Sequence, residues 1–404
     1  MDMKLIKIIM IVCMLSFMLY IPYVSAEVPL KAAFIRDHKL WIKEGGIEQK
    51  ITKDQYVYNP KWSSDGRFLG YLKGEENGEK TFLYVYDTKQ KKTYQPYEGM
   101  EVFHFQWSPI ANQIAYTTWG GLNVTKTENG IPKRFENVAL GVSDFVWYPN
   151  GKEFIVSSQA QLLPTGWGSV RLFRVPVNAN LDSTKIKPFY TIQTDEKDLF
   201  AIDATIFQWS KDYKWLSFLA IPTASWSNDS NTLCVLSEAG TNFQAIGKML
   251  INKKWIKWSP YENKLAYISG EGRFLVQDKK MTIADIPIVS RQKEYTPKDY
   301  VDLDLEWLSK EAIIVARAKE NKTWQEGPVP IMYSKLYVVN LKTAQQKQFT
   351  FPSEKEIDTS PKVIGSFITW IREGHEKSAM IKEGINGKEQ IWIKKVDEAP
   401  VIYP

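Results

Sequence analysis

A strand ending in tryptophan, a tight Ser-Pro or Ser-x-Asp-Gly turn and then an apolar strand recur along this chain at spacings of 40 to 62 residues. The first copy runs from Asn59-Pro60-Lys61-Trp62-Ser63-Ser64-Asp65-Gly66 to Leu69-Gly70-Tyr71. Phe105-Gln106-Trp107-Ser108-Pro109 leads in the same way to Ile114-Ala115-Tyr116, and Phe145-Val146-Trp147-Tyr148-Pro149 to Phe154-Ile155-Val156. Further copies are anchored on Trp209, Trp258 and Trp307, and a degraded one has Val363 at the anchor. After the apolar strand comes an alternating strand such as Phe82-Leu83-Tyr84-Val85-Tyr86-Asp87, then a turn and a fourth strand such as Thr93-Tyr94-Gln95. Four strands in roughly 40–50 residues with a tryptophan signature describe one blade of a β-propeller. Blades pack face to face, and a wide flat ring fills the wedge between them, so the anchors are expected to be core residues without chemistry.

Composition agrees with this reading. The 404 residues are 13% aromatic, which suits strands better than helices. With 52 basic and 46 acidic residues interspersed, and 44% hydrophobic content, the chain is neither disordered nor a dedicated nucleic-acid binder. The expected fold is all-β, a propeller of four-stranded blades. Seven anchors predict seven blades, with eight if the N-terminal strands Ala32–Arg36, Leu40–Lys43 and Gln49–Thr52 form their own blade, and six if the last unit is a cap.

Ahead of the repeats, Lys4 and Lys7 flank the start of an apolar run from Ile8 to about Tyr20, and Val24-Ser25-Ala26 offers a small-x-small cleavage site. This is the layout of a secretory signal peptide over residues 1–26, with the propeller domain in 27–404. Val12 before Cys13 does not suit lipidation, and no later apolar stretch is long enough to span a bilayer. Cys234 is then alone in an apolar strand and is expected to be a buried, unreactive thiol without a disulfide. The expected location is outside the cytoplasmic membrane of a bacterium, secreted or at the cell surface.

The repeats resemble those of TolB-type, WD40-like propellers, most closely from Trp62 to Asp87 and at Trp107-Ser108-Pro109 and Trp258-Ser259-Pro260. The resemblance extends over about residues 32 to 396 and implies the propeller fold. It does not include the N-terminal α/β domain that TolB carries, so no role in TolB-like translocation follows from it.

Within a blade, the second-to-third strand loop and the blade-to-blade connection share one face, and the tryptophan turns occupy the other. Trp119, Trp167, Trp226 and Trp324 lie in second-to-third loops among Gly, Ser, Thr and Pro, and are expected to form an aromatic ligand-binding face. The competing reading is that these rings fold down as lids over the core. Counting back three residues from each anchor gives Asn59, His104, Asp144, Ile206, Trp255 and Asp304, and counting back one gives Lys61, Gln106, Val146, Gln208, Lys257 and Glu306. These positions should line or flank the axial channel. His104, Asp144 and Asp304 are its candidate ligand contacts. Asp299, Asp302 and Asp304 beside Asp203 form an acidic group too irregular to define a metal site, so neither metal nor cofactor is expected.

Only three histidines exist, and His-Glu-x-x-His, Gly-x-Ser-x-Gly and phosphate-cradling glycine motifs are absent. Prolyl peptidases also carry propellers, but beside a catalytic domain of which this sequence has no trace. The expectation is therefore a monomeric, non-catalytic binding or scaffold protein whose partner is an envelope or extracellular protein, a peptide or a glycan. The enzymatic alternative is a propeller polysaccharide lyase of the oligogalacturonate type, using the channel mouth.

Overall fold

The computed structural model describes residues 30–53, 56–76, 79–193, 199–288 and 292–403. The expected signal segment, 1–26, lies outside the described residues. Eight four-stranded antiparallel sheets are present, with one short hairpin of Leu162–Leu163 and Gly166–Trp167 inserted in the fourth. Each sheet is one blade. Their innermost strands, for blades 2 to 8, are Tyr56–Trp62, His104–Trp107, Asp144–Trp147, Asp203–Trp209, Ile256–Trp258, Tyr300–Ser309 and Ile357–Ile364. No helix among the described residues is long and apolar enough to cross a membrane.

Eight blades replace the expected seven. The N-terminal strands Lys31–Arg36, Lys39–Glu44 and Ile47–Lys50 lack a tryptophan strand of their own because Val401–Tyr403, from the other end of the chain, supplies the innermost strand of blade 1. Ala33 faces Val401 and Lys31 faces Tyr403 in that ladder. A sheet edge left open would offer unpaired backbone groups, and pairing the two chain ends removes it. The tyrosine is then seated on blade 2, where an added Cβ at Gly66, with φ of +67°, would come within 2.5 Å of the Tyr403 ring. The repeat therefore reaches beyond residue 396 to Tyr403.

Apolar clusters fill the spaces between blades rather than one central core. Phe68, Leu72, Phe105 and Tyr116 pack between blades 2 and 3, and Leu172, Phe207, Phe218 and Cys234 between blades 4 and 5. Cys234 is fully buried, and burial pushes its thiol well above the ordinary range, which removes it as a nucleophile.

The anchor tryptophans pin neighbouring blades together. The indole N–H of Trp107 donates to the Lys61 carbonyl at 2.8 Å, that of Trp258 to the Gln208 carbonyl at 3.2 Å, and that of Trp307 to the Lys257 carbonyl at 2.9 Å. Each acceptor is the residue just before the anchor of the preceding blade. Trp62 donates to the Val401 carbonyl at 2.9 Å, so the closing strand takes the same place in blade 1. A buried indole N–H needs a partner, and this one ties the ring together as well as filling space.

Candidate functional site

Innermost strands face the axis, and three of them are bent there. Asn59, Ile206 and Ser360, each three residues before an anchor position, have φ of 50°, 57° and 53°, and the strand register slips at each. Such bulges re-aim side chains and often border functional sites. Positive φ is especially unfavourable for a β-branched residue, so Ile206 must be held by its surroundings. Asp144 does this: its Oδ2 accepts the Ile206 N–H at 3.0 Å and the Thr205 hydroxyl at 2.5 Å.

The other oxygen of the same carboxylate turns the opposite way. Asp144 Oδ1 accepts the Phe145 N–H at 2.8 Å and lies 3.3 Å from His104 Nδ1. One side chain thus links blades 3, 4 and 5. Burial raises the Asp144 carboxyl, but His104, Thr205 and the Phe145 N–H together outweigh it and hold the group below the ordinary range. Burial lowers His104 more than Asp144 raises it, and Lys61 and Lys253 add to the lowering. A neutral imidazole that donates from Nδ1 has Nε2 as its acceptor, so this pair can take a proton from a group in the channel.

Lys61 belongs to the same wall. Its Nζ donates to the Phe105 carbonyl at 2.6 Å and sits 4.6 Å from the centre of the Phe105 ring. Burial, then the charge of Lys253, lowers its pKa to about 7, against the pull of Asp144. Nearby, Asp203 accepts the Ser143 hydroxyl at 2.7 Å and is raised by burial ahead of its hydrogen bonds.

Asp304 is not part of this group. It is buried on blade 7, accepts the Leu305 N–H at 2.8 Å, and is raised by burial against the opposing charges of Lys257, Lys254 and Lys362. Glu306 lies between two lysines, 3.0 Å from Lys257 and 3.2 Å from Lys362. The acidic group suggested by the sequence is dispersed: Asp302 forms a buried pair with Arg317 at 2.6 Å, and Asp299 pairs with Lys322 at 2.9 Å on the surface. Among the described residues no three His, Cys, Asp or Glu side chains converge as metal ligands.

All four loop tryptophans lie in second-to-third strand connections, of blades 3, 4, 5 and 7. No two of them touch among the described residues. Trp119 is 81% exposed and meets Phe103 edge-on at 4.9 Å, and Trp226 is 60% exposed near Phe200. Trp167 is at the exposed end of the inserted hairpin. Trp324 is only half-exposed; it lies against Phe274 at 4.6 Å and donates to the Pro328 carbonyl at 3.1 Å.

Sequence reasoning grouped His104, Asp144 and Asp304 at the channel; the structure pairs the first two and leaves Asp304 apart. Lys61, Lys257 and Glu306 were visible as residues preceding an anchor, without a reason to select them. Thr205, Lys254, Lys362 and Glu398 were missed. Only Lys362 carried a signal, as the residue before the degraded anchor Val363.

No family model matches the chain, and no curated protein matches it in sequence. Solved structures do share its fold. A puromycin hydrolase variant complexed with PGG aligns with a TM-score of 0.54 at 11% identity, over 86% of this chain and 54% of its own. Dipeptidyl peptidase 4 of Porphyromonas gingivalis aligns with a TM-score of 0.58 at 11% identity, over 92% and 58%. A dihydro-heme d1 dehydrogenase in complex with DHE aligns with a TM-score of 0.61 at 13% identity, over 95% and 76%. This chain spans about half the length of the two peptidases. At such identities the likeness is one of fold.

These neighbours correct the expectation of a non-catalytic scaffold. They are enzymes, chiefly peptidases, whose propellers have the architecture found here, so missing catalytic motifs in the repeats do not mark a scaffold. Nothing supports the polysaccharide lyase alternative, and of the three channel candidates Asp304 lies apart from His104 and Asp144.

Proposed function

We propose that this chain is a peptidase-related propeller whose axial channel receives peptides for hydrolysis. The observation that carries the reading is the proton-handling wall of Lys61, His104 and Asp144 on three successive innermost strands. A half-buried His–Asp couple beside a lysine with a pKa of about 7 is a poised acid–base set, of the kind that clusters at functional sites. The peptidase propellers among its structural neighbours favour peptide as the class of substrate. In this reading Trp119, Trp167 and Trp226 offer exposed rings to an arriving chain on one face, while His104 and Asp144 meet it inside. Trp324 and Asp304 serve as supports.

We read the chain as an exported, monomeric propeller acting outside the cytoplasmic membrane; the TolB-like turns and the segment 1–26 support the export. The test is direct. Incubate the full mature chain with a peptide pool and follow retained and cleaved species by mass spectrometry. Retention or cleavage reduced at least about tenfold by His104→Ala is expected, the size of one lost charge-assisted contact. A protein that neither retains nor cuts any peptide overturns the proposal.

A further inference from the structure

A cavity of about 770 Å³ runs along the channel beside blades 8, 1 and 2, from the His38 turn and Asp397 to Ile364 and the closing strand. That volume lies in the range of small-ligand sites. Its two lysines come from blades that are not neighbours. Lys254 projects from the short turn Lys253–Trp255, which is fixed at both ends: Asn252 Oδ1 accepts the Lys254 N–H at 3.0 Å, and the buried Trp255 donates to the Leu303 carbonyl at 2.7 Å. Its ammonium group passes blade 7 and comes within 3.5 Å of the Ser360 hydroxyl on blade 8. Among the described residues Lys254 has no ion-pair partner. Lys362, in the same cavity, shares the single carboxylate of Glu306 with Lys257.

Val57, Pro60, Ile364 and Ile402 form its apolar side, while His38, Tyr58, Asn59 and Asp397 also border it, with Asp397 accepting the His38 N–H at 2.7 Å. Glu398 is the carboxyl group that faces Lys254 there, and it too lacks an ion pair among the described residues. Burial raises its pKa, the charge of Lys254 opposes that shift, and the neighbouring Asp397 adds to it. One ammonium group without an ion pair, a second that shares its counter-charge, and an apolar side away from the Asp397 carboxylate, which the Asp37 and His38 N–H groups engage, suit an anionic group attached to an apolar side chain.

We propose that this cavity is a carboxylate pocket that takes the C-terminal residue of a peptide, with Lys254 and Lys362 holding the carboxylate and the closing strand lining the side-chain slot. The inference rests on the reading of the channel as peptide-receiving, and adds which end of the peptide enters and where it stops. Lys254 is the principal contact, because no carboxylate among the described residues forms an ion pair with it. Lys362 is secondary, since Glu306 already draws on it.

The test uses the full mature chain and fluorescein-labelled pentapeptides ending in Leu, as the free acid and as the C-terminal amide, read by fluorescence polarisation. The acid is expected to bind about tenfold more tightly than the amide, as for one charge-assisted contact. Lys254→Gln should abolish that preference while leaving the thermal midpoint unchanged. Ile364→Trp, which fills the slot, should weaken the Leu-ended acid and spare one ending in Gly. Equal binding of acid and amide overturns the pocket and leaves the peptide reading standing. Failure of both forms to bind overturns the two together. Displacement of the peptide acid by dodecanoate at equal concentration overturns the assignment to peptide, because a fatty acid then supplies the same chemistry.

Discussion

Two sets of tryptophans, the blade anchors and the loop residues, differ in where the indole N–H is used. In the anchor set it crosses to the preceding blade, as from Trp107 to Lys61 and from Trp307 to Lys257. In the loop set it stays close by in sequence, as from Trp119 to Glu101 and from Trp324 to Pro328. Ring size and apolar area are the same in both. What separates them is position in the repeat: the anchor ends an innermost strand and is wedged between two sheets, whereas the loop residue tops a connection with solvent on one side. A residue type therefore carries no fixed role in this fold until its strand has been identified.

The comparison can be broken by stability measurements. Trp147→Ala should show the largest effect, since the ring is almost fully buried against Phe154 and its N–H is spent on blade 3. A loss of about 3–5 kcal/mol is expected in urea denaturation. A loss no greater than that of a loop variant would erase the distinction between the sets.

Gly66→Ala probes Tyr403, the aromatic that stands against Trp62 where the ring closes. A Cβ would collide with the Tyr403 ring at a residue whose φ is already positive. Overpacking and backbone strain together should cost roughly 1–3 kcal/mol. Removal of Tyr403 by Tyr403→Ala should relieve the clash part of that cost in a double-mutant cycle. An equal cost of Gly66→Ala in both backgrounds would mean that the closing contact is not formed.

Lys61, next to the anchor Trp62, sharpens the comparison through pH. Its folded pKa of about 7 is depressed, so between there and the ordinary lysine value of about 10.4 the unfolded chain binds a proton that the folded one does not. Stability should rise with pH across that window, and the unfavourable burial of charge should be greatest below it. Lys61→Met is expected to flatten this rise in denaturant melts. An unchanged slope would show that the ammonium group is solvated in the channel.

Trp119→Ala and Trp226→Ala should have the smallest effects, within about 0.5 kcal/mol by thermal melts. Trp324→Ala should fall between the sets at about 1 kcal/mol, because that ring covers Phe274. Should Trp119→Ala melt as low as Trp147→Ala, the exposed loop rings are core lids and the proposed arrival face has no basis.

Much of this architecture is legible along the sequence because a blade is a local object. The turn after Trp62 is closed by Ser63, Asp65 and Gly66, and the next two strands pair with their sequence neighbours, so each copy announces itself within about 30 residues. The missing innermost strand of blade 1 was not legible, since Val401–Tyr403 has neither tryptophan nor Ser-Pro turn and pairs across the whole chain. That single hidden strand accounts for reading seven blades in place of eight.

The candidate site divides in the same way. Residue type and spacing from the anchors placed His104 and Asp144 on inner strands, because strand alternation is a property of sequence. Which of the grouped residues meet could not be read: His104 and Asp144 pair while Asp304 stays apart, because they belong to different blades and the curvature of the ring decides. Lys254 depended still more on the tertiary structure: it reaches Ser360 on blade 8 from blade 6, past an entire blade, and no spacing rule connects them. Repeats set by local turns and pairing determined what each blade would be. Closure of the ring decided how many there are, and it brought isolated lysines, a histidine and carboxyl groups from distant blades together at the axis.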